Sequence, residues 1–247
     1  MRLVRDPLVL SAGLLAALVL GLPYSRPLFA ALFPQIERPL YQADPFWLLL
    51  VQHLGLVAAS SLAAALLGIG AAIFVTRPVG REFRSLLATL ATLGQTFPPV
   101  AVLAIAVPAM GFGAEPALLA LTLYGLLPIL ENSLTAFDQV PEAVREAGRG
   151  CGMSGFQLWR AVELPLAAPL ILTGVRLSVT VNVGTAALAS TVGAKSLGLP
   201  LIIGLNSANT AYVLQGALLV GALALTLDLA LARLVQRADA WRRATPG

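Results

Sequence analysis

The nearest this chain comes to a nucleotide-handling loop is the string Gly193-Ala194-Lys195-Ser196. A phosphate cradle reads G-x-x-x-x-G-K-[ST], because consecutive backbone N–H groups must close on the phosphate oxygens. Ala194 stands where the second glycine must precede the lysine, so this string is no nucleotide site. A single histidine, His53, excludes a multi-histidine metal centre. A single cysteine, Cys151, excludes an internal disulfide and any cysteine metal cluster. Both read as structural residues, His53 at a helix interface and Cys151 as a small residue in a turn.

The patterned residues lie instead in a segment built to be stiff. From Asp138 to Pro165 the sequence spells two short helices joined by a turn. Pro141 suits a first helical turn, where its missing N–H would be unpaired anyway. Glu142 complements the positive N-terminal end of that helix. Glu146 and Arg149 are spaced to share one face. Gly148 and Gly150 weaken the helix end, and Gly152 can supply the left-handed residue that stops it. Ser154 then caps a second helix, with Gln157 three residues on to bond back to the cap. Phe156 and Trp159 follow at helical spacing beside Arg160. Pro165 disfavours a helix running through Leu164, so the next segment is expected to leave at a new angle.

The elements around this segment are membrane helices. With 58% hydrophobic and 11% charged residues and a mean hydropathy of +0.85, the chain is no soluble domain. A bilayer core takes roughly 20 apolar residues in a helix. Such spans read at about 7–23, 47–76, 85–109, 117–134, 166–191 and 211–235. The first follows Arg2 and Arg5, as in a signal peptide, but no convincing small-residue cleavage site follows Leu22-Pro23-Tyr24, and an uncleaved helix is expected. Small residues in the second span (Ala63, Ala64, Gly68, Gly70) would let helices approach closely. Placing both termini inside puts twelve of the sixteen Lys and Arg residues on the cytoplasmic side, as membrane insertion favours. The segment 138–165 is then cytoplasmic. No Ser-His-Asp set and no carboxylate pair falls on one side of the membrane. The basic pI of about 9.8 comes from loop arginines, and no aromatic-basic interleaving suggests nucleic acid.

Glu146-Ala147-Gly148, then Gly152, then Val162-x-Leu164-Pro165 resembles the coupling loop of binding-protein-dependent ABC importer permeases. That loop reads E-A-A, three residues, G, nine residues, I-x-L-P. Both gaps match; Gly148 replaces the third alanine and Val162 the isoleucine. The resemblance extends over about residues 47–235. Softer likenesses to the glycine betaine/choline/carnitine osmoprotectant subgroup lie at Gly94–Pro99, Leu126–Ser133, Val183–Ala189 and Gly193–Gly198, the last with Lys195 and Ser196 where small residues are expected.

The resemblance implies an all-α, multi-pass inner-membrane subunit of about six helices. Residues 1–46 would form the first helix and a periplasmic segment, 47–235 the transmembrane domain, and 236–247 a cytoplasmic tail. It would pair with a second permease subunit, identical or not, and lie in membrane lipid. Separate ATPase subunits would hold ATP and Mg, a periplasmic binding protein would deliver solute, and this chain would bind no cofactor. The loop's two helices would dock into a groove on the ATPase. Gln95 with Pro98-Pro99, mid-span, would either line the translocation path or form a packed kink. Arg176 would make an interhelical ion pair, with Asp228 or Glu131 as candidate partners, or meet substrate; Asn182 could face the same cavity. Two rivals stay open: an importer permease for another small polar solute, and a secondary transporter driven by an ion gradient. The second would want inverted repeats and midplane acids; no clear repeat is present, and Asp228 alone is well within a span.

Overall fold

Long, mostly apolar runs leave the backbone one way to satisfy its polar groups in lipid, the helix. The computed structural model describes residues 6–244, with side chains up to residue 240. Arg2 and Arg5, and the side chains of Arg242 and Arg243, lie outside the described residues. Among the described residues there are eleven α-helices and no strand. They are α1 (Pro7–Gly21), α2 (Arg26–Leu32), α3 (Phe46–Val75), α4 (Arg84–Thr96), α5 (Pro99–Met110), α6 (Ala114–Asp138), α7 (Glu142–Gly150), α8 (Gly155–Leu158), α9 (Leu164–Thr185), α10 (Leu199–Asn206) and α11 (Thr210–Ala244).

Five helical stretches are long and apolar enough to cross a membrane, and the pair α4 and α5 makes a sixth. The third expected span is therefore a broken one. Pro98 carries an extended backbone (φ −57°, ψ 135°) and Pro99 opens α5, where its missing N–H costs nothing. The fourth span is longer than the sequence suggested: α6 runs on to Asp138, through Pro128. The last helix runs to Ala244, into the stretch expected as a tail.

The chain divides into two compact units, each drawn from three stretches. The first comprises Met1–Ser60, Phe97–Thr122 and Val179–Leu229; the second comprises Ser61–Thr96, Leu123–Ser178 and Ala230–Gly247. The first unit's core gathers Phe29, Tyr41, Phe46, Leu49, Leu197, Leu219 and Leu223, all buried. Two polar side chains inside it are fully paired. His53, fully buried, donates from Nε2 to the Val183 carbonyl at 3.0 Å and accepts from the Leu197 N–H at Nδ1. This is a neutral, structural imidazole. Gln215 accepts from the Tyr41 N–H and donates to the Pro39 and Ala211 carbonyls.

Tyr41, Phe46 and Tyr212 meet with ring centroids 5.6–5.8 Å apart. Their spacing along the chain conceals this cluster. Tyr41 and Phe46 are each only 2% exposed, so the rings fill their own space. Burial, followed by the neighbouring Asp44, pushes the Tyr41 phenol well above its ordinary range. Asp44 itself accepts from Lys195 Nζ at 2.6 Å and from the Tyr41 hydroxyl at 3.2 Å. The Lys195 bond is the main cause that holds its carboxyl below the usual range.

A carboxyl depressed on folding stabilises the protein above its unfolded pKa of about 3.9. That contribution is lost as pH falls through the lower folded value. Lys195 is half exposed, which limits the pair to about 1 kcal/mol. Asp44→Asn is therefore expected to lower the melting temperature slightly near neutral pH. The difference from wild type should vanish in acid below the carboxylate range; thermal denaturation in detergent across pH checks both ends.

The second unit's core is smaller: Ala72, Val75, Ala91, Leu127, Leu130, Leu134, Phe137, Ala167 and Ile171. Close helix approach is carried by some small residues and not by others. Ala64 is fully buried, and a Cβ on Gly68 would lie 3.1 Å from Ile129 Cγ2; one on Gly70 would meet nothing.

Candidate functional site

The segment linking α6 to α9 folds as its local chemistry dictates. Pro141 precedes α7 in an extended conformation and Glu142 fills the first turn. At the other end Gly152 has φ +80°. Its N–H donates to the Arg149 carbonyl at 2.9 Å, and the Met153 N–H donates to the Gly148 carbonyl at 3.1 Å. This pair of bonds is a Schellman termination, which needs a left-handed residue between helix and exit. The cap on α8 is reciprocal: the Gln157 N–H donates to Ser154 Oγ at 3.3 Å, and the Ser154 N–H donates to Gln157 Oε1 at 2.8 Å.

Removing a capping hydroxyl costs about 1 kcal/mol. Ser154→Ala is expected to speed amide exchange in residues 155–158 by roughly fivefold, since about 1.4 kcal/mol is a factor of ten. Hydrogen-exchange mass spectrometry on that peptide checks it.

Close packing explains the glycine at position 148. Gly148 is buried, and a Cβ there would sit 2.6 Å from Leu158 Cδ1 and 3.4 Å from Met153 Sδ. The two short helices thus touch through a glycine. Gly150 has nothing within 4 Å of that position. Glu146 and Ala147 are exposed, as are Val144, Met153 and Phe156, the last at 65%. Phe156 packs on Trp159 with centroids 5.7 Å apart.

Charge fixes the loop to the helix ends. Arg149 pairs with Glu142 at 2.9 Å, two turns back, rather than with Glu146 as spacing suggested. Bonds from Arg149 and then Arg145 hold the Glu142 carboxyl below its usual range. Arg145 is the hub. Its Nε donates to Glu163 Oε1 at 3.0 Å, Nη1 to Glu142 at 3.2 Å, and Nη2 to the Phe137 carbonyl at 2.7 Å. The last bond supplements the long 3.4 Å bond that the Phe137 carbonyl accepts from the Val140 N–H at the end of α6. Glu163, with its side chain 5% exposed, also accepts from Arg77 at the end of α3. Arg84 and Asp138 form a forked pair nearby.

The sequence reading passed over Glu163. It occupies the x of the I-x-L-P pattern, a place where the motif is silent. A carboxylate in helical register between Val162 and Leu164 was the available signal, because a buried acid must find partners.

One expectation fails. Pro165 does not end a helix: α8 passes through a π-helical turn, Trp159–Glu163, directly into α9. The Leu164 N–H donates five residues back to Trp159. The wide turn relieves the clash between a proline ring and the carbonyl four residues earlier. Pro165 then sits in the first turn of α9, where no N–H is needed.

The other proposed site residues belong to both units. In the second unit, Gln95 Nε2 points at the Tyr124 carbonyl, 3.5 Å away. That carbonyl is the one Pro128, four residues on, cannot pair. Asn182 lies in the first unit, fully buried, and donates to Ser60 Oγ at 3.3 Å. Thr180 donates to Asp228 at 3.3 Å. Arg176 is half-buried on α9.

Comparison with known proteins places this architecture. Residues 64–240 match the family model described as the binding-protein-dependent transport system inner membrane component. The osmoprotectant import permease protein OsmW of Salmonella typhimurium is 39% identical over 188 residues, 74% of this chain and 86% of that protein. OsmY of the same organism is 40% identical over 73% of this chain and 77% of its own length. The glycine betaine/carnitine/choline transport system permease protein OpuCB of Bacillus subtilis is 43% identical over 56% of this chain and 64% of its own. Among solved structures, an inward-facing MetNI methionine ABC transporter superposes with a TM-score of 0.68 at 22% identity, covering 80% of this chain and 99% of that one; at that identity the likeness is one of fold. A multi-helix membrane chain matched over most of its length by one family model belongs to that family: it is a binding-protein-dependent transport system inner membrane component.

Proposed function

We propose that this chain is the permease subunit of an ABC importer for glycine betaine or a related quaternary-ammonium osmoprotectant, and that α7 and α8 couple it to a separate ATPase. One observation carries the coupling: two short helices, locked together through Gly148 and stopped by Gly152, present Glu146, Ala147 and three exposed apolar side chains outward. A nucleotide-driven movement passes through a stiff element and is absorbed by a floppy one. Glu146, Ala147, Gly148 and Gly152 belong to that element, and Val162, Leu164 and Pro165 to the π turn and helix start that carry it into α9. ATP and Mg belong to the partner, whose closure would pull on the loop and switch the helices between access states.

The substrate rests on the names of the relatives, which transport osmoprotectants, glycine betaine, carnitine and choline. In the same reading, Gln95 lines the translocation path, and Arg176 is its polar residue on α9. Cysteine at position 95 should then label in at least one nucleotide state; no labelling in any state removes Gln95 from the path.

The deciding experiment is ATP-dependent uptake of labelled glycine betaine into proteoliposomes holding this chain, its ATPase and its binding protein. Gly152→Pro is the companion variant, since proline cannot adopt a positive φ. Uptake that needs every part and collapses in the variant supports substrate and coupling together. ATPase activity stimulated by the binding protein without betaine uptake keeps the importer and rejects the substrate. Stimulation unchanged by Gly152→Pro rejects the coupling role.

A further inference from the structure

Beside the loop's ion-pair network lies an open, polar cavity of about 430 Å³, within the roughly 300–1,000 Å³ range of small-ligand sites. Arg77, Arg81, Arg84, Arg145 and Arg149 line it, against the three carboxylates already described. Five guanidinium groups over three carboxylates leave two positive charges uncompensated. Four of the arginines are engaged with those carboxylates. Arg81 has no partner among the described residues, and its side chain lines the cavity.

A second feature adjoins it. Val79 (83% exposed), Phe83, Leu86 and Leu90 display apolar side chains along the turn and helix that carry Arg81 and Arg84. A cationic pocket bordered by an exposed apolar strip offers one half to a phosphate and the other to acyl chain. The arginine bias puts this cavity at the cytoplasmic leaflet, whose surface is anionic, and basic pockets at helix ends on that side hold lipid headgroups.

We infer that the cavity is a binding site for the phosphate headgroup of an anionic phospholipid, with Arg81 as its principal cation and the Val79–Leu90 strip as the seat of the acyl chains. The charge-assisted forks of arginine suit phosphate geometry. The lipid would brace the end of α3 and the start of α4 against the loop that carries Arg145 and Arg149.

The test uses the assembled transporter, equilibrated in nanodiscs of phosphatidylcholine mixed with phosphatidylglycerol, then released into mild detergent for native mass spectrometry. Wild type should retain phosphatidylglycerol in preference to phosphatidylcholine. Arg81→Gln should lose that preference by about fivefold, the worth of one arginine at an anionic surface, while Arg81→Lys keeps most of it. An unchanged melting temperature in Arg81→Gln, expected because the side chain has no partner, separates binding from folding. Equal retention by wild type and Arg81→Gln overturns the inference. Arg81-dependent binding of added inorganic phosphate in place of lipid would keep the anion site and overturn the lipid. Retention seen in the permease alone and lost in the assembled transporter would assign the cavity to an acidic partner surface and overturn it likewise.

Discussion

Glu163→Ala is expected to destabilise the protein by about 2 kcal/mol and to reduce ATP-driven uptake at least tenfold. Two guanidinium groups converge on this one carboxylate, and it is nearly inaccessible to water. Removing one member of a buried charge network costs about 3–5 kcal/mol when the rest stays dry. Here Arg77 and Arg145 are 35% and 21% exposed, so water recovers part of that loss. What water cannot recover is geometry. Arg145 is held by Glu163, Glu142 and the Phe137 carbonyl together, and Glu163 alone joins it to Arg77. Without that carboxylate, like charges face each other and the end of α3 is released from the loop. At about 2–4 °C per kcal/mol for a chain of this size, the melting temperature should fall by roughly 4–8 °C. Glu163→Gln keeps an acceptor and the shape, and should fall between wild type and Glu163→Ala. A double-mutant cycle with Arg77→Ala should show a coupling energy of at least about 0.5 kcal/mol, as groups in one network do; additive effects would mean that the Arg77–Glu163 pair carries nothing.

What the sequence made legible were the features that close within a few residues. The six spans follow from long apolar runs, and the break in the third from Pro98-Pro99. The stop at Gly152 and the cap of Ser154 on Gln157 are chemistry over three residues, and both stand at φ +80° and 2.8–3.3 Å. Glu163 is hard to place for the opposite reason: a lone carboxylate at that register asks for partners, but they lie 86 and 18 residues away. The same limit hid the contrast between Gly148, pressed on Leu158, and Gly150, which touches nothing. Arg149 found Glu142 over two turns, although spacing also offered Glu146. Pro165 misled because local steric rules assume an α-helical turn before the proline. The chain used a π turn instead, a choice that depends on how α9 must continue.

Gly198→Ala should yield little or no folded protein, the largest effect expected from adding one methyl group to this chain. The segment after α9 turns tightly: residues Ala186–Val192 form a 3₁₀ stretch, and Gly193 is left-handed. Ser196 Oγ then receives the Gly198 N–H at 3.0 Å and lies 2.9 Å from Ser190 Oγ. These bonds draw the backbone of Gly198 against that of Ala187. A Cβ on Gly198 would lie 2.2 Å from the Ala187 carbonyl oxygen, 2.4 Å from its Cα and 2.6 Å from its carbonyl carbon. No rotamer relieves a clash with backbone, so the whole turn would have to open. That turn also carries the Leu197 N–H that His53 accepts, and Leu197 itself is fully buried in the first unit's core. Overpacking alone costs about 1–3 kcal/mol; losing the serine bond, the histidine bond and the seat of Leu197 as well brings the loss to the order of the roughly 5–15 kcal/mol by which such a protein is stable. Gly184→Ala is the control: it lies at the end of α9, just before that segment, and a Cβ there meets nothing within 4 Å. On helix propensity it should be neutral or stabilising by up to about 1 kcal/mol. Fluorescence-detected size exclusion of the two variants in detergent measures both. A monodisperse Gly198→Ala peak of wild-type height would show that the 187–198 turn can yield, and that its glycine is not held by Ala187.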